Sequence, residues 1–210
     1  MTIDSMASVP LVLASASPRR RELLAQAGYA FRIEAADIPE DPLPGEDPIA
    51  YVTRLARGKA EAVRSRPANA SAVVLGADTT VVIEGQILGK PESTADAARM
   101  LRLLSGRTHQ VITGVSVVSS AQILTAAEVT AVQFHSLSDE EIAAYIATGE
   151  PMDKAGAYAI QGRAACWIPR IHGCYFNVVG LPLALVSNLL STLARLPGRP
   201  VSGSGQANAK

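Results

Sequence analysis

Three stretches of this chain bring together residue types that could handle a charged ligand. In the first, the apolar run Leu11-Val12-Leu13-Ala14 meets Ser15-Ala16-Ser17-Pro18 and then three arginines, Arg19, Arg20 and Arg21. Ser17 is suited to cap a helix, and Pro18 to its first turn, where a missing N–H costs nothing. A helix start presents free N–H groups and a positive dipole end, so anions bind there, and arginine forks match phosphate oxygens. Cations in a first turn also oppose that dipole, so two readings stay open, an anion site or a merely solvated basic turn. The second stretch is Leu75-Gly76-Ala77-Asp78-Thr79-Thr80. It sets a carboxylate after an apolar strand and two small residues that let a ligand approach the backbone. Strand ends in α/β sheets are where sites form, which raises Asp78 above an ordinary turn aspartate. Lys90, between Gly89 and Pro91, reads on its own as a surface lysine. The third stretch, Gly149 to Gly162, is glycine-rich with interspersed apolar and aromatic residues, hence an ordered loop. Its Gln161 has an amide that suits the edge of a nucleobase or is simply satisfied within the loop.

Composition narrows the chemistry. The chain has 210 residues, 48% hydrophobic and 18% charged, enough for a substantial core. Nineteen basic residues balance 19 acidic ones. A general nucleic-acid or membrane-surface role needs a broad positive field, so any phosphate recognition here is a local pocket. No apolar run is long enough to span a bilayer, and Met1 to Pro10 lacks the regions of a signal peptide. Cys166 and Cys174 are too few for a disulfide framework and read as reduced thiols of a cytoplasmic protein. The three histidines have no ligand spacing. There is no Walker pattern, no nucleophile elbow and no Cys–His pairing. A cationic helix start, an acid at a strand end and scattered lysines suit metal-assisted chemistry on a small phosphate ester, without naming the bond that breaks.

The elements that must position these residues are legible from periodicity and caps. A helix is expected from Arg19 to Ala27 with Gly28 after it, then a strand over Phe31 to Ala35. Ala36 to Asp47 holds three prolines and five acids, which makes it a loop. Asp47-Pro48 starts a helix in which Ile49, Val52, Leu55, Ala56, Ala60 and Val63 recur at helical spacing. Ala72 to Leu75 reads as a buried strand, and Thr79 to Ile83 with Gln86 to Leu88 as a separate hairpin around Glu84-Gly85. Ser93 or Thr94 caps a helix that ends near Ser105-Gly106. Gln110 to Ser119 and Ile123 to Phe134 read as paired strands. Ser138-Asp139-Glu140-Glu141 fits a capping box. A last helix runs between Pro182 and Pro197. Interleaved strands and helices with both hairpins and crossovers give an α/β fold with a mixed twisted sheet and flanking helices. Residues 10–197 are expected to form a single two-lobed domain, with 1–9 and 198–210 as disordered termini.

Taken together, Ser15-Ala16-Ser17-Pro18-Arg19-Arg20, Gly76-Ala77-Asp78-Thr79, Lys90-Pro91, the run from Asp153 to Gly162, and Asn177-Val178-Val179-Gly180-Leu181-Pro182 resemble the Maf family of nucleoside triphosphate pyrophosphatases. The resemblance spans roughly residues 10–195, and several motifs in the right order are far more specific than any one. It implies a fold related to the inosine triphosphate pyrophosphatases, two lobes around a cleft, and a homodimer. It implies cleavage between the α and β phosphates, with Asp78 as general base. Phosphate and metal handling then fall to Ser15, Arg20, Glu40, Lys59 and Lys90. Glu40 and Asp78 would hold a divalent cation, magnesium or manganese. Arg19, Thr79 and Gln161 resemble the branch that hydrolyses dTTP and UTP. Ala164-Ala165 and Cys174 depart from the usual glycines and serine, none of them at a position with an implied role. Two rival functions remain in view: a housecleaning enzyme for modified nucleotides, and a non-enzymatic regulator of cell division that binds a nucleotide.

Overall fold

The computed structural model describes residues 9–195. Among the described residues seven strands form one mixed sheet: β1 (Leu11–Ala14), β2 (Phe31–Ile33), β3 (Val73–Ile83), β4 (Gln86–Leu88), β5 (Thr108–Val118), β6 (Ile123–Gln133) and β7 (Arg170–His172). Their order is β2-β1-β3-β5-β6-β7, with β4 paired to β3. The β1 pairings with β2 and β3 are parallel, and those of β3 with β5, β5 with β6 and β6 with β7 are antiparallel. The helices are α1 (Pro18–Gln26), α2 (Pro48–Arg64), α3 (Thr94–Leu104), α4 (Asp139–Ile146), α5 (Tyr175–Val179) and α6 (Leu183–Arg195). This is the mixed α/β architecture expected from the sequence.

Local signals set most element boundaries. Ser17 caps α1, Asp47 accepts from the amides of Ile49 and Ala50 at the start of α2, and Ser93 accepts from Asp96 at the start of α3. Ser138 and Glu141 form both halves of the expected capping box at α4. The β3–β4 hairpin turns on Glu84 and Gly85, both with positive φ. Between Gly149 and Gly162 the chain is an ordered loop with short 3₁₀ turns over Glu150–Asp153 and Ala155–Ala157. Ile49, expected on the buried stripe of α2, is 45% exposed, while Tyr51, Val52, Leu55 and Ala56 are buried. The short β7 and α5 carry no sequence signal strong enough to announce them. Val9, assigned to a disordered terminus, packs against the core beside Leu11; residues 1–8 and 196–210 lie outside the described residues.

One expectation is corrected in an informative way. Val73 to Ile83 is a single strand of 11 residues, so Asp78 lies in the middle of a strand and not at its end. It sits opposite Gly114 of β5. Gly76-Ala77, read as a break, is a place of close approach. A Cβ on Gly76 would lie 2.1 Å from the Ala56 carbonyl oxygen, and one on Gly114 2.3 Å from that of Val52. Both oxygens belong to α2, so the helix backbone rests directly on the central strands.

The long strands β3 and β5 run through two lobes. In one, Leu13, Leu75, Val115 and Val117 pack against Leu23, Leu24, Val186 and Leu190 of α1 and α6. In the other, Val81, Val111, Val132 and Phe134 pack against α3 and α4 through Met100, Leu101, Leu104, Ile142 and Tyr145. The cleft between the lobes crosses β3 at Asp78 and Thr79. His109 lies in the second core, 2% exposed, with its Nε2 2.7 Å from the Tyr158 hydroxyl and its ring edge-on to Phe134.

Two measurements test this packing. Gly114→Ala should destabilise the protein by about 3 kcal/mol in urea unfolding, since backbone blocks the new methyl. Gly89→Ala, which meets nothing within 4 Å, should change stability by less than about 0.5 kcal/mol. The second concerns pH. Burial holds His109 down at about 4 against an ordinary value of 6.5, so the unfolded chain binds the proton first. Its contribution is complete above pH 6.5 and drains away as pH falls toward 4, on the order of 3 kcal/mol in all. The difference in unfolding free energy between wild type and His109→Phe should therefore shrink across that window, and not between pH 7 and 9.

Candidate active site

The cleft is a cavity of about 530 Å³ bounded by the β1–α1 turn, the middle of β3, α2, the acidic loop, the end of the β3–β4 hairpin and the loop before Gly162. Every residue expected at a site lines it: Ser15, Arg19, Arg20, Glu40, Lys59, Asp78, Thr79, Lys90 and Gln161. Positions spread over about 150 residues of sequence thus face one space.

Lys59 is the pivot of one wall. It occupies the buried stripe of α2, one turn after Leu55 and one turn before Val63. Its Nζ lies 2.7 Å from Asp78 Oδ1 and 2.6 Å from Glu40 Oε1. The side chains of Lys59 and Asp78 are each 10% exposed, and Glu40 is half-exposed. Burial works to raise the Glu40 pKa, but the hydrogen bond from Lys59 and the charges of Lys59, Lys90 and Arg20 outweigh it and hold the carboxyl below its ordinary value. The acidic loop that carries Glu40 is pinned twice. Tyr51 donates to the Glu40 carbonyl at 2.9 Å, and Arg54 grips both oxygens of Glu46 at 2.6 and 2.7 Å. Tyr51 itself is pushed up to about 12 by burial, with Asp78 and Glu40 adding to it.

On the opposite wall Arg20 is fixed by three partners. Its Nε donates to the Gly180 carbonyl at 2.8 Å, Nη1 to Ser15 Oγ at 3.4 Å and Nη2 to Thr79 Oγ1 at 3.0 Å. Burial lowers its pKa, against the pull of Asp78. Ser15 also accepts from the Ser17 amide at 3.2 Å, which closes the β1–α1 turn. Arg19 reaches across to Asp153 at 3.6 Å, and Arg21 turns away beside Glu22. The three arginines therefore do different things, and only Arg21 fits the solvated-turn reading.

Lys90 is exposed at the mouth, next to Gly89, whose carbonyl accepts from the Gly156 amide at 3.0 Å. Lys154, which sequence reasoning left without a role, also lines the cavity; its Nζ donates to the Glu150 carbonyl at 2.7 Å. The loop bearing Gln161 is clasped by Glu150, which accepts from the Tyr145 hydroxyl at 2.9 Å and the Arg163 amide at 3.4 Å. Gln161 itself is exposed to the cavity. Tyr51 and Lys59 had a sequence signal of their own, a polar group on the apolar stripe of an amphipathic helix.

The set combines cations, which suit phosphate oxygens, with a central group of carboxylates. Arg19, Arg20, Lys59, Lys90 and Lys154 surround Glu40, Asp41, Asp78 and Asp153. Among the described residues no group of three or more His, Cys, Asp or Glu could hold a metal unaided. Glu40 and Asp78 flank the Lys59 ammonium, each giving it one oxygen and keeping a second as a hard donor. That partial set fits magnesium or manganese, which take one or two carboxylates and draw their remaining ligands from water and phosphates. Asp78 lines the cavity, and its Oδ2 has no hydrogen bond among the described residues.

Comparison with known proteins agrees in outline. Residues 10–193 match the model of the Maf-like proteins. A dTTP/UTP pyrophosphatase of Geobacter metallireducens is 56% identical over 188 residues, which is 89% of this chain and 97% of that one. A dTTP/UTP pyrophosphatase of Moorella thermoacetica is 56% identical over 184 residues, covering 86% and 93%. One from Koribacter versatilis is 54% identical over 180 residues, covering 86% and 92%. A solved dITP/XTP pyrophosphatase of Mycobacterium abscessus superposes over 90% of this chain and 99% of its own at 12% identity and a TM-score of 0.42, too loose a likeness to argue from. With its motifs gathered in one cleft and its length matched from Pro10 to Leu193, the chain belongs to the family of Maf-like proteins.

Proposed function

We propose that this protein hydrolyses dTTP and UTP to the nucleoside monophosphate and pyrophosphate, with residues 10–197 as the catalytic unit. The observation that carries the reading is the buried Asp78–Lys59–Glu40 cluster facing Arg20 across a cavity of about 530 Å³, in a chain more than half identical to dTTP/UTP pyrophosphatases. Water attacks the α-phosphorus, a new P–O bond forms, and the bond from Pα to the bridging oxygen breaks as pyrophosphate leaves. Asp78 Oδ2 orients the water and takes its proton. Lys59 holds Oδ1, which fixes the direction of the carboxylate. Arg20, with Ser15 as its rest, Lys59 and Lys90 neutralise charge on the triphosphate and on the leaving group. Such positioning and electrostatic stabilisation supply most of the acceleration in phosphoryl chemistry. Glu40 and Asp78 would hold a divalent cation, which when bound supplies Lewis-acid polarisation of the phosphoryl oxygens.

Arg19, Thr79 and Gln161 form the base-selecting side in this reading. Gln161 and Thr79 face the O4 and N3–H edge that thymine and uracil share, and the 5-methyl group needs only space, so both nucleotides react. The proposal includes a homodimer, which light scattering on a sizing column tests, and a cytoplasmic location, supported by two free cysteines. Among the described residues no helix is long and apolar enough to cross a membrane.

Two results are expected from pyrophosphate release measured across the common nucleoside triphosphates. Wild-type protein should turn over dTTP and UTP well above ATP and GTP. Equal turnover of the purines would remove Thr79 and Gln161 from base selection. Asp78→Asn keeps the shape of the side chain and should cost on the order of 10² or more in kcat with the fold intact by circular dichroism. Near wild-type turnover by that variant would overturn the assignment of the base.

A further inference from the structure

Thr113 of β5 takes no part in the machinery described above, yet it is fully buried directly beneath Thr79, its cross-strand partner in the β3–β5 ladder. Its hydroxyl oxygen lies 2.9 Å from Thr79 Oγ1 and 3.1 Å from the Asn177 carbonyl oxygen. A hydroxyl has one proton to give and two lone pairs to receive with. The direction of the chain of hydrogen bonds can therefore be worked out.

The Asn177 carbonyl fixes it. The two amides that could reach that oxygen along the helix, those of Gly180 and Leu181, both bond to the Phe176 carbonyl instead, at 3.1 and 2.9 Å. Asn177 is fully buried, so its carbonyl needs a donor, and the Thr113 hydroxyl is the donor it has. With its proton spent there, Thr113 can only accept from Thr79. An oxygen–oxygen distance of 2.9 Å with no proton between would be a buried repulsion. The other acceptor within reach of Thr79, the Gly180 carbonyl, lies farther off at 3.5 Å and already receives Arg20 Nε at 2.8 Å, so the shorter contact to Thr113 takes the proton and Thr79 points it inward, away from the cavity. One of its lone pairs receives Arg20 Nη2 at 3.0 Å. Arg20 is itself held by the Gly180 carbonyl at 2.8 Å. What Thr79 presents to the cavity is one lone pair and no proton.

We infer that Thr113 is a specificity-determining positioning residue, which makes Thr79 an acceptor-only probe that admits bases with a ring N–H and rejects cytosine. The inference rests on the proposed function, in which Thr79 faces the pyrimidine edge. Uracil and thymine bring N3–H to that lone pair and complete the bond. Cytosine brings a bare N3, lone pair against lone pair, and a desolvated polar mismatch of that kind discriminates far more strongly than a missing methyl. Thr79 alone would not do this, because a free hydroxyl rotates and serves either base.

The test compares kcat/KM for UTP and CTP in wild type, Thr113→Val and Thr113→Ser. Valine keeps the shape and removes the 2.9 Å acceptor, which leaves the Thr79 hydroxyl only the long 3.5 Å contact to the Gly180 carbonyl and frees it to turn its proton to a base in the cavity. The UTP-over-CTP ratio should fall by about tenfold or more in Thr113→Val, through improved use of CTP, and stay at the wild-type value in Thr113→Ser. Thr113→Ala removes the same acceptor and serves in place of valine should that variant fail to fold. A purely structural role for Thr113 would lower turnover of both nucleotides together and leave the ratio alone, and that result overturns the inference. So does a ratio that falls equally in Thr113→Ser. If wild-type protein uses CTP as well as UTP, the base-edge reading of Thr79 falls, and this inference with it. If wild type discriminates and the valine and alanine variants discriminate as well, only the role of Thr113 is lost.

Discussion

Helix α2 rests on the two central strands so closely that its carbonyls at Val52 and Ala56 leave no room for a methyl on Gly114 or Gly76. The cleft depends on that contact. It sets the depth at which Lys59 leaves the helix, and hence brings its ammonium within 2.7 Å of Asp78 on the strand below. The same helix carries Tyr51 and Arg54, which hold the acidic loop down and so deliver Glu40 to the ammonium from the other side. A helix lifted by the width of one methyl would separate the charges. Burying an ammonium and a carboxylate costs more than their attraction returns in many proteins, so the arrangement speaks for function before stability.

The cavity is divided in kind. Toward α2 and the mouth it is charged, with Lys59 between Glu40 and Asp78 and Lys90 close enough to act on Glu40. Toward β5 and the end of α5 it is neutral, with Thr79 and Gly180 in the wall and the buried Thr113 hydroxyl and Asn177 carbonyl behind Thr79. Arg20 bridges the two, bonded to Ser15 on one side and to Thr79 and Gly180 on the other. A ligand with a highly charged end and a flat polar end matches that division. The proton directions in the neutral part follow from counting donors against acceptors, since a buried polar group left unpaired is costly.

Caps, turns and helical stripes were legible because each is a local matter. A serine or aspartate at a helix start bonds an amide two or three residues on, whatever the rest of the chain does. Ser17, Asp47, Ser93 and Ser138 all do so. The cationic helix start was likewise visible as a candidate anion site, and the glycine-rich stretch before Gly162 as an ordered loop. Asp78 was found for a reason that fails, since it lies within a continuous strand. Gly76-Ala77 looks the same in sequence whether small residues end a strand or admit a helix backbone, and only the partner tells the two apart. Lys59 and Glu40 entered through family resemblance. Lys59 did leave a mark of its own, a lysine on the apolar face of α2.

The sequence by itself determined the α/β class, most element boundaries and the charged residue types at the helix start and around Asp78, because these follow from short-range propensity and side-chain chemistry. Tertiary structure alone decided which of the cations meets which carboxylate, that Arg19, Arg20 and Arg21 part company, and that Thr79 faces the cavity with its proton turned away. Those outcomes depend on contacts between residues as far apart as Arg20 and Gly180, or Thr113 and Asn177. No local pattern encodes a distance between two elements. Packing sets it, and here the packing is that of α2 against β3 and β5.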